Sequence, residues 1–156
     1  MRIATWNINS LRLRMPMLGR IVKELEPDVV CLQEIKVEDG LFPADDVRKL
    51  GFEHILFRGM KGYNGVAVLS RVPLVEMKKR LWCGKDDCRH LAAKLPDGTE
   101  LHNFYVPAGG DIPDPVTNEK FAHKLAFIEE MAEWFGSKRP AKRILVGDLN
   151  IAPFEN

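Results

Sequence analysis

The order of hydrophobic and polar residues predicts an α/β domain that opens with a strand, a helix and a second strand. Residues 3–8 alternate and carry β-forming side chains, and the predicted strand ends at Asn7. Ser10 is a typical N-cap, and apolar residues then recur at helical spacing: Leu11, Met15, Leu18, Val22 and Leu25. Residues 29–32 form a continuous apolar run, typical of a strand buried on both faces, which ends near Glu34. This order predicts a βαβ unit.

The middle of the chain predicts two antiparallel hairpins. Asn-Gly and Asp-Gly readily take the two positive φ angles of a type I′ turn. Strand-like segments flank two such dipeptides: residues 54–57 and 66–69 around Asn64-Gly65, and residues 90–95 and 99–106 around Asp97-Gly98. Hairpins that follow a βαβ unit predict a mixed sheet.

The last part predicts a helix and one more strand. Asn118 is a typical N-cap, and the helix presents an apolar face from Phe121 to Phe135 before Gly136. Glutamates occupy the other face of this helix: Glu129, Glu130 and Glu133. Residues 143–146 predict a strand that ends in Gly147-Asp148-Leu149-Asn150. Flanking helices and a mixed sheet therefore define the expected fold class.

The composition indicates a single globular domain. Hydrophobic residues make up 46% and charged residues 29% of the 156 residues. With 23 basic and 22 acidic residues, the net charge is +1, so any nucleic-acid surface must be a local patch. Candidate patches are Arg58/Lys61, Lys78-Lys79-Arg80 and Lys138-Arg139/Lys142-Arg143. A solvated face or a helix end explains each of them at least as well.

The sequence favours a reducing, cytoplasmic compartment and no membrane. No apolar run approaches the roughly 18 residues that cross a bilayer, and residues 1–7 show no secretory signal. Three cysteines are too few for a disulfide framework. Cys83 and Cys88 lack the further ligands of a zinc site and are expected to be ordinary thiols. His90 and His102 are expected to be structural.

Polar residues end four of the predicted strands and form the candidate site. They are Asn7, Glu34, Tyr105 and the pair Asp148/Asn150. Ligands collect at the carboxyl ends of strands in α/β sheets. If the chain stays extended, Asp148 and Asn150 point to the same face. Two carboxylates and amide oxygens, from Asn7, Glu34, Asp148 and Asn150, suit Mg²⁺ and an oxygen-rich substrate such as a phosphate.

Each of these residues also has an ordinary structural interpretation. Asn7 is typical of a turn, and Glu34 is typical of a solvated strand end. Tyr105 before Pro107 fits a core aromatic, and Gly147-Asp148 fits a turn. Only their joint placement at strand ends favours a site.

Five sequence blocks resemble the exonuclease III family, the bacterial AP endonuclease branch of the endonuclease/exonuclease/phosphatase superfamily. In chain order they are Asn7-Ile8-Asn9-Ser10-Leu11-Arg12, Leu32-Gln33-Glu34-Ile35-Lys36, Tyr63-Asn64-Gly65-Val66-Ala67, Tyr105-Val106-Pro107 and Gly147-Asp148-Leu149-Asn150-Ile151-Ala152-Pro153. The resemblance covers nearly the whole chain. Arg12, Lys36 and the Tyr-Val-Pro block favour the DNA-repair branch over other phosphodiesterases.

The resemblance implies a role for each site residue. Glu34 would be the principal Mg²⁺ ligand, with Mn²⁺ as a substitute, and Asn7 would help to hold the metal or its waters. Asp148 would act on the attacking water or as general acid. Asn150 would donate to the phosphate, and Tyr105 would contact the phosphate through its hydroxyl. Lys36 and Arg12 are candidates for contacts with the DNA backbone or for simple surface charge.

The resemblance also implies the function and the extent of the domain. We expect a Mg²⁺-dependent hydrolase that acts on double-stranded DNA at abasic sites and 3′ ends in base excision repair. The family adds a second half, with an aspartate and a terminal Ser-Asp-His block, that residues 1–156 do not contain. We therefore expect an amino-terminal part forming one layer pair of a four-layer αββα sandwich, inactive alone and self-associating through an exposed sheet face.

Two other functions remain open from the sequence. One is hydrolysis of another phosphate ester by a member of the same superfamily. The other is a catalytically incomplete half-domain that only binds DNA or a partner. Incision of an abasic duplex distinguishes the DNA-repair hydrolase from a hydrolase of another phosphate ester. Metal-dependent turnover distinguishes both enzymes from a half-domain that only binds.

Overall fold

Two four-stranded sheets pack face to face in the computed structural model, which describes residues 1–137 and 142–151. The first sheet contains β1 (Ile3–Asn7), β2 (Val29–Gln33), β3 (His54–Arg58) and β4 (Val66–Ser70), in the order β1-β2-β4-β3. The second contains β5 (Val75–Glu76), β6 (His90–Lys94), β7 (Glu100–Tyr105) and β8 (Arg143–Asp148), in that order. Each sheet is mixed, because β1 runs parallel to β2 and β7 parallel to β8 while the other pairs are antiparallel.

Helices cover the outer face of each sheet. Helices α1 (Leu11–Leu25) and α2 (Ala44–Lys49) lie on the first sheet, and α3 (Glu119–Ser137) lies on the second. A short 3₁₀ turn, Asp39–Leu41, precedes α2. The buried Phe127 of α3 packs with Trp82, Phe104 and Val106. The late aromatic residues thus form core rather than an exposed stacking platform.

The side chains of β2 alternate between two cores, which explains why its whole sequence is apolar. Val30 and Leu32 pack under α1 and α2, whereas Val29 and Cys31 face the second sheet. Successive residues of a strand point to opposite faces, so a strand between two packed layers must be apolar on both. The inter-sheet core also contains Leu91 and Leu101 from β6 and β7, together with Val66, Val68 and Leu95.

The α/β class with mixed sheets and flanking helices is confirmed. The expectation that this chain supplies one layer pair is corrected, because it supplies strands to both sheets and helices to both outer faces. The inner faces of the two sheets cover each other. Within the described residues, therefore, neither inner face is the exposed sheet surface that was expected to drive self-association.

The βαβ unit and both hairpins are confirmed, but the predicted turns are wrong in detail. Residues 59–65 connect β3 to β4, so Asn64 and Gly65, at φ 51° and 88°, end a longer loop rather than form a two-residue turn. In the second hairpin the amide of Gly98 donates to Leu95 O at 2.9 Å, and only Gly98 of the Asp-Gly pair has a positive φ, 81°. That geometry is a turn over residues 95–98 whose last residue is a left-handed glycine.

The two predicted N-caps differ in outcome. The Asn118 side chain accepts a hydrogen bond from the amide of Lys120 at 3.0 Å and caps α3 as expected. Ser10 occupies the N-cap position of α1 but makes no side-chain cap bond. Instead, the amides of Ser10 and Leu11 donate to the carbonyls of Glu34 and Ile35, at 2.7 and 3.0 Å. The start of α1 is thus tied to the segment that follows β2.

Candidate active site at the strand ends

The two parallel strand pairs bring four polar strand ends to one edge of the sandwich. Asn7 ends β1, and Glu34 follows β2 beside it. Tyr105 and Asp148 end β7 and β8 and are register partners. Because the carboxyl ends of parallel strands lie at the same edge, each sheet contributes two of the four side chains.

Asn7 connects the two acidic residues of the site. Its Nδ2 donates to Glu34 Oε1 and to Asp148 Oδ2, each at 2.8 Å. The Tyr105 hydroxyl donates to the same Glu34 Oε1, also at 2.8 Å. The four residues predicted from separate strand ends therefore form one hydrogen-bonded cluster that crosses the sheet interface.

Lys36 pairs with the other oxygen of Glu34. Its Nζ lies 2.9 Å from Glu34 Oε2 and donates to Asn9 Oδ1 at 2.6 Å. Partial burial favours the neutral acid and raises the pKa of Glu34. The three donors and the charge of the ammonium group outweigh burial and hold the pKa of Glu34 below its ordinary value. Glu34 is thus an anion at neutral pH, as a cation ligand must be.

Tyr105 is held as a neutral phenol. Burial, the hydrogen bond to Glu34 and the charge of Glu34 raise its pKa to about 12, and Arg89 offsets part of this effect. The Arg89 guanidinium lies 4.7 Å from the centroid of the Tyr105 ring. Its Nε donates to Asp87 Oδ2 at 2.8 Å, and His123 Nε2 lies 3.7 Å from the same oxygen. The phenol therefore keeps its proton over the physiological pH range.

Asn150 lies beside the cluster, and its side-chain amide donates to a backbone carbonyl. Its Nδ2 donates to Val106 O at 2.7 Å, and its backbone amide donates to Asp148 Oδ1 at 3.0 Å. With φ 49°, Asn150 is not extended, so the argument that equal spacing places it on the face of Asp148 is wrong. The turn nevertheless keeps the two residues in direct contact.

Gly147 allows β8 to reach the site. Its φ is 141°, and a Cβ at this position would overlap the backbone of Phe104 on β7. Only glycine permits so close an approach. Other residues at the site also have positive φ: Asn9, Ser10, Glu34, Lys36 and Asn150. Uncommon backbone conformations often cluster at functional sites, and here they surround the Asn7–Glu34–Asp148 cluster.

The other basic residues considered for nucleic-acid contact lie away from this cluster or pair with acidic side chains. Arg12 is exposed near the start of α1. Within the described residues, acidic partners pair with several members of the basic patches: Arg58 with Glu76, Lys79 with Asp86, Arg80 with Glu130, Lys142 with Asp97 and Arg143 with Glu100. Lys138 and Arg139 lie outside the described residues. These paired cations have less charge available for a phosphate backbone than an unpaired cation has.

His90 and His102 are buried in the second sheet, and the three cysteines form no disulfide. His90 Nε2 lies 3.0 Å from His102 Nδ1 in the second sheet, and both rings are buried. Cys31, Cys83 and Cys88 are free thiols. No group of three or more His, Cys, Asp or Glu side chains within the described ranges is arranged to hold a metal. A cation at the strand ends would therefore need amide oxygens, water or substrate besides Glu34 and Asp148.

Sequence reasoning missed the group formed by Asp87, Arg89 and His123. These residues line or adjoin a cavity of about 300 Å³ beside Tyr105, which Lys120 also lines. Arg89 lies outside the five family-like sequence blocks, and His123 belongs to a helix far along the chain. Nothing in the local pattern indicates that they meet, since only packing of α3 on the second sheet brings them together.

The fold is that of a family of endonucleases, exonucleases and phosphatases. Residues 4–156 match the endonuclease/exonuclease/phosphatase family, and the chain belongs to that family. It is 29% identical over 160 aligned residues to exodeoxyribonuclease III of Haemophilus influenzae, covering 98% of this chain and 58% of that protein. It is 27% identical to an exodeoxyribonuclease of Bacillus subtilis, covering 97% and 59%.

Solved structures show the same fold. An AP endonuclease from Archaeoglobus fulgidus superposes with a TM-score of 0.87 at 35% identity, covering 99% of this chain and 59% of that one. The 3′ phosphatase NExo from Neisseria, bound to a product DNA hairpin, gives a TM-score of 0.87 at 32% identity, covering 99% and 60%. The chain thus spans about three fifths of the length of these relatives. No helix in the described residues is long and apolar enough to cross a bilayer.

Proposed function

We propose that this chain carries the metal- and phosphate-binding part of a Mg²⁺-dependent hydrolase that cleaves DNA phosphodiesters at abasic sites and 3′ ends. The observation that carries the proposal is the Asn7 amide held between Glu34 and Asp148, with the Tyr105 hydroxyl on Glu34. An AP endonuclease and a DNA-bound 3′ phosphatase among its structural neighbours support the substrate class. The three free cysteines agree with a reducing, cytoplasmic setting.

The donor set fits a hard cation. Glu34 and Asp148 supply carboxylate oxygens, and Asn7 and Asn150 carry amide oxygens, while thiolates and imidazoles are absent from the cluster. Glu34 is the principal ligand in this proposal, as the family resemblance implies, and its lowered pKa keeps the carboxylate anionic at neutral pH. A bound Mg²⁺, or Mn²⁺ in its place, would neutralise phosphate charge and lower the pKa of a bound water.

The chain's own residues would then act on the phosphate. Tyr105, whose pKa of about 12 keeps it protonated, would turn its single O–H from Glu34 Oε1 to a phosphate oxygen. Asp148 accepts a proton from the attacking water or returns one to the leaving oxygen. Asn150 has a second amide hydrogen besides the one donated to Val106 O. By analogy with oxyanion holes, each donor that meets developing charge contributes about 2.7–4 kcal/mol.

Cationic side chains beside the cluster would contact the DNA backbone. Arg89 and Lys120 line the cavity next to Tyr105, and Lys36 contacts Glu34. Arg89 and Lys36 are themselves paired, with Asp87 and Glu34, so their position beside the cluster and not unpaired charge makes them candidates. Phosphate contacts position a duplex without reading its sequence, which suits a repair enzyme. An abasic nucleotide has no base to unstack and is easily turned into such a site.

The direct test is an abasic-duplex assay on this chain. We expect Mg²⁺-dependent binding of the duplex, measured by fluorescence anisotropy, and no measurable nicking. The resemblance implies that a further aspartate and histidine complete the catalytic unit, and such units lose nearly all activity when one member is missing. Binding that is unaffected by Mg²⁺ would refute the proposed metal site. Hydrolysis of a simple phosphate ester without DNA would favour the other phosphodiesterase function, and rapid nicking would refute the expected inactivity.

We also propose that the chain self-associates, through an apolar groove rather than a sheet face. The groove, of about 280 Å³, lies between α3 and the edge strand β8. Leu145, Leu149 and Ile151 on its rim are 43%, 45% and 57% exposed. Light scattering on Leu149→Lys and on the parent chain tests this, because a charge in the groove should shift the parent's oligomers towards monomer. A monomeric parent chain would contradict the proposal.

A further inference from the structure

The geometry of the site depends on how the two sheets are placed relative to each other. Asn7 and Glu34 belong to the first sheet, whereas Tyr105 and Asp148 belong to the second. Most of the inter-sheet contact is made by aliphatic side chains such as Val68. Apolar contact is non-directional, so aliphatic packing alone does not fix one sheet against the other to within a hydrogen-bond length.

A directional contact crosses the same interface directly beneath the site. The Asn103 side chain of β7 donates from Nδ2 to Leu32 O on β2 and to Ala67 O on β4, both at 2.9 Å. Its Oδ1 accepts from Gln33 Nε2 at 2.7 Å. Gln33 and Asn103 are 1% and 0% exposed. One buried amide thus joins the second sheet to two neighbouring strands of the first.

The two amide side chains lie one or two residues before a site residue in their respective sheets. Gln33 is followed by Glu34, and Asn103 lies two residues before Tyr105 on β7, on the same side of the strand. Gln33 Nε2 also donates to Thr5 Oγ1 on β1 at 3.1 Å. The hydrogen bonds therefore fix the strands that carry Asn7, Glu34 and Tyr105.

We propose that Gln33 and Asn103 form a positioning pair that sets the registration of the two sheets and so holds the Asn7–Glu34–Asp148 cluster at hydrogen-bond distance. The pair acts through the cluster and does not touch substrate. Its effect on the cluster is independent of the reaction. Its effect on metal binding rests on the proposed function.

The test replaces both amides at once in this chain, as Gln33→Met with Asn103→Leu. Replacing both amides removes the Gln33–Asn103 bond without leaving either side-chain amide unpaired, but the carbonyls of Leu32 and Ala67 each lose a donor. We therefore expect a lower thermal midpoint than that of the parent, in a chain that still folds. We also expect the side-chain amide protons of Asn7 to exchange at least tenfold faster by NMR, with Mn²⁺ affinity by calorimetry at least tenfold weaker.

A matched control and a second variant keep the outcome decisive. Ser70 is also buried on β4, at the end away from the site, and Ser70→Ala should leave the exchange of the Asn7 amide unchanged. If the double variant does not fold, Asn103→Ser is used. It keeps a polar group but is too short to reach both carbonyls, and the same tenfold increase in exchange is expected.

The two proposals fail in different ways. A folded double variant, or a folded Asn103→Ser chain, in which the Asn7 amide exchanges at the parental rate overturns the positioning pair. A parent chain that binds no Mn²⁺ overturns the proposed metal site. In that case the exchange of the Asn7 amide still decides the positioning pair.

Discussion

Asn7 and Asp148 are 141 residues apart in the sequence and are joined by a 2.8 Å hydrogen bond between Asn7 Nδ2 and Asp148 Oδ2. The bond links the end of β1 to the end of β8, and so links the edges of the two sheets. The same amide nitrogen holds Glu34. The cluster thus forms only when the first and last strands of the described chain are both in place.

Glu34→Gln should remove most of the Mg²⁺ affinity while keeping the fold. The substitution preserves shape but removes the negative charge that a hard cation needs. We expect at least a tenfold loss of affinity by calorimetry. Glu38→Gln is the matched control, because Glu38 is exposed and the substitution removes the same charge four residues further along the chain. Equal losses in the two variants would argue against Glu34 as the ligand.

Lys36→Met should strengthen Mg²⁺ binding about three- to tenfold. The ammonium lies 2.9 Å from Glu34 Oε2, where it competes with a cation for the carboxylate. Removing it should also raise the pKa of Glu34, because Lys36 is one of the groups that lower it. Calorimetry at pH 7 measures the first effect, with Lys23→Met on the outer face of α1 as control. Weaker binding in Lys36→Met would show that Lys36 supports the site rather than competes for it.

Tyr105 should make stability fall at alkaline pH. Its folded pKa of about 12 exceeds the ordinary value of 10. Its contribution to the free energy of unfolding is therefore complete below pH 10 and is lost as pH rises towards 12. Urea unfolding at pH 9 and pH 11 should show a smaller loss for Tyr105→Phe than for the parent chain. An identical loss in both chains would mean that folding does not raise the pKa of Tyr105.

The histidine pair should make the chain sensitive to mild acid. Burial lowers the pKa of His90 to about 2 and that of His102 to about 4. Both groups stabilise the fold above their unfolded pKa near 6.5, and this stability is lost as pH falls below it, because only the unfolded chain takes up protons.

The variant His90→Phe should weaken that acid response. Its ring can keep the stacking with Phe104, whose centroid lies 4.2 Å from that of His90. Each histidine contributes a slope of at most about 1.4 kcal/mol per pH unit. Urea unfolding between pH 7 and pH 5 should thus show a shallower slope for the variant. An unchanged slope would place the acid response elsewhere.

Local pattern was sufficient for most of the elements and for the candidate residues, although it predicted neither α2 nor β5. The alternation that predicts β1, the helical spacing that predicts α1 and the apolar run that predicts β2 depend only on neighbours along the chain. The same holds for the N-cap at Asn118 and for polar residues at strand ends. Secondary structure of this kind follows from backbone geometry, which repeats every two or 3.6 residues.

Tertiary structure decided how those residues meet. The sequence did not reveal that the chain builds both sheets, that Asn150 turns towards Val106, or that Lys36 pairs with Glu34. It also gave no sign that Asn103 reaches across to Leu32. Each of these depends on which faces pack together and on a φ angle or a side-chain reach at one position. Contacts between residues distant in the chain arise only when burial of apolar surface brings the sheets together, and no local periodicity encodes that arrangement.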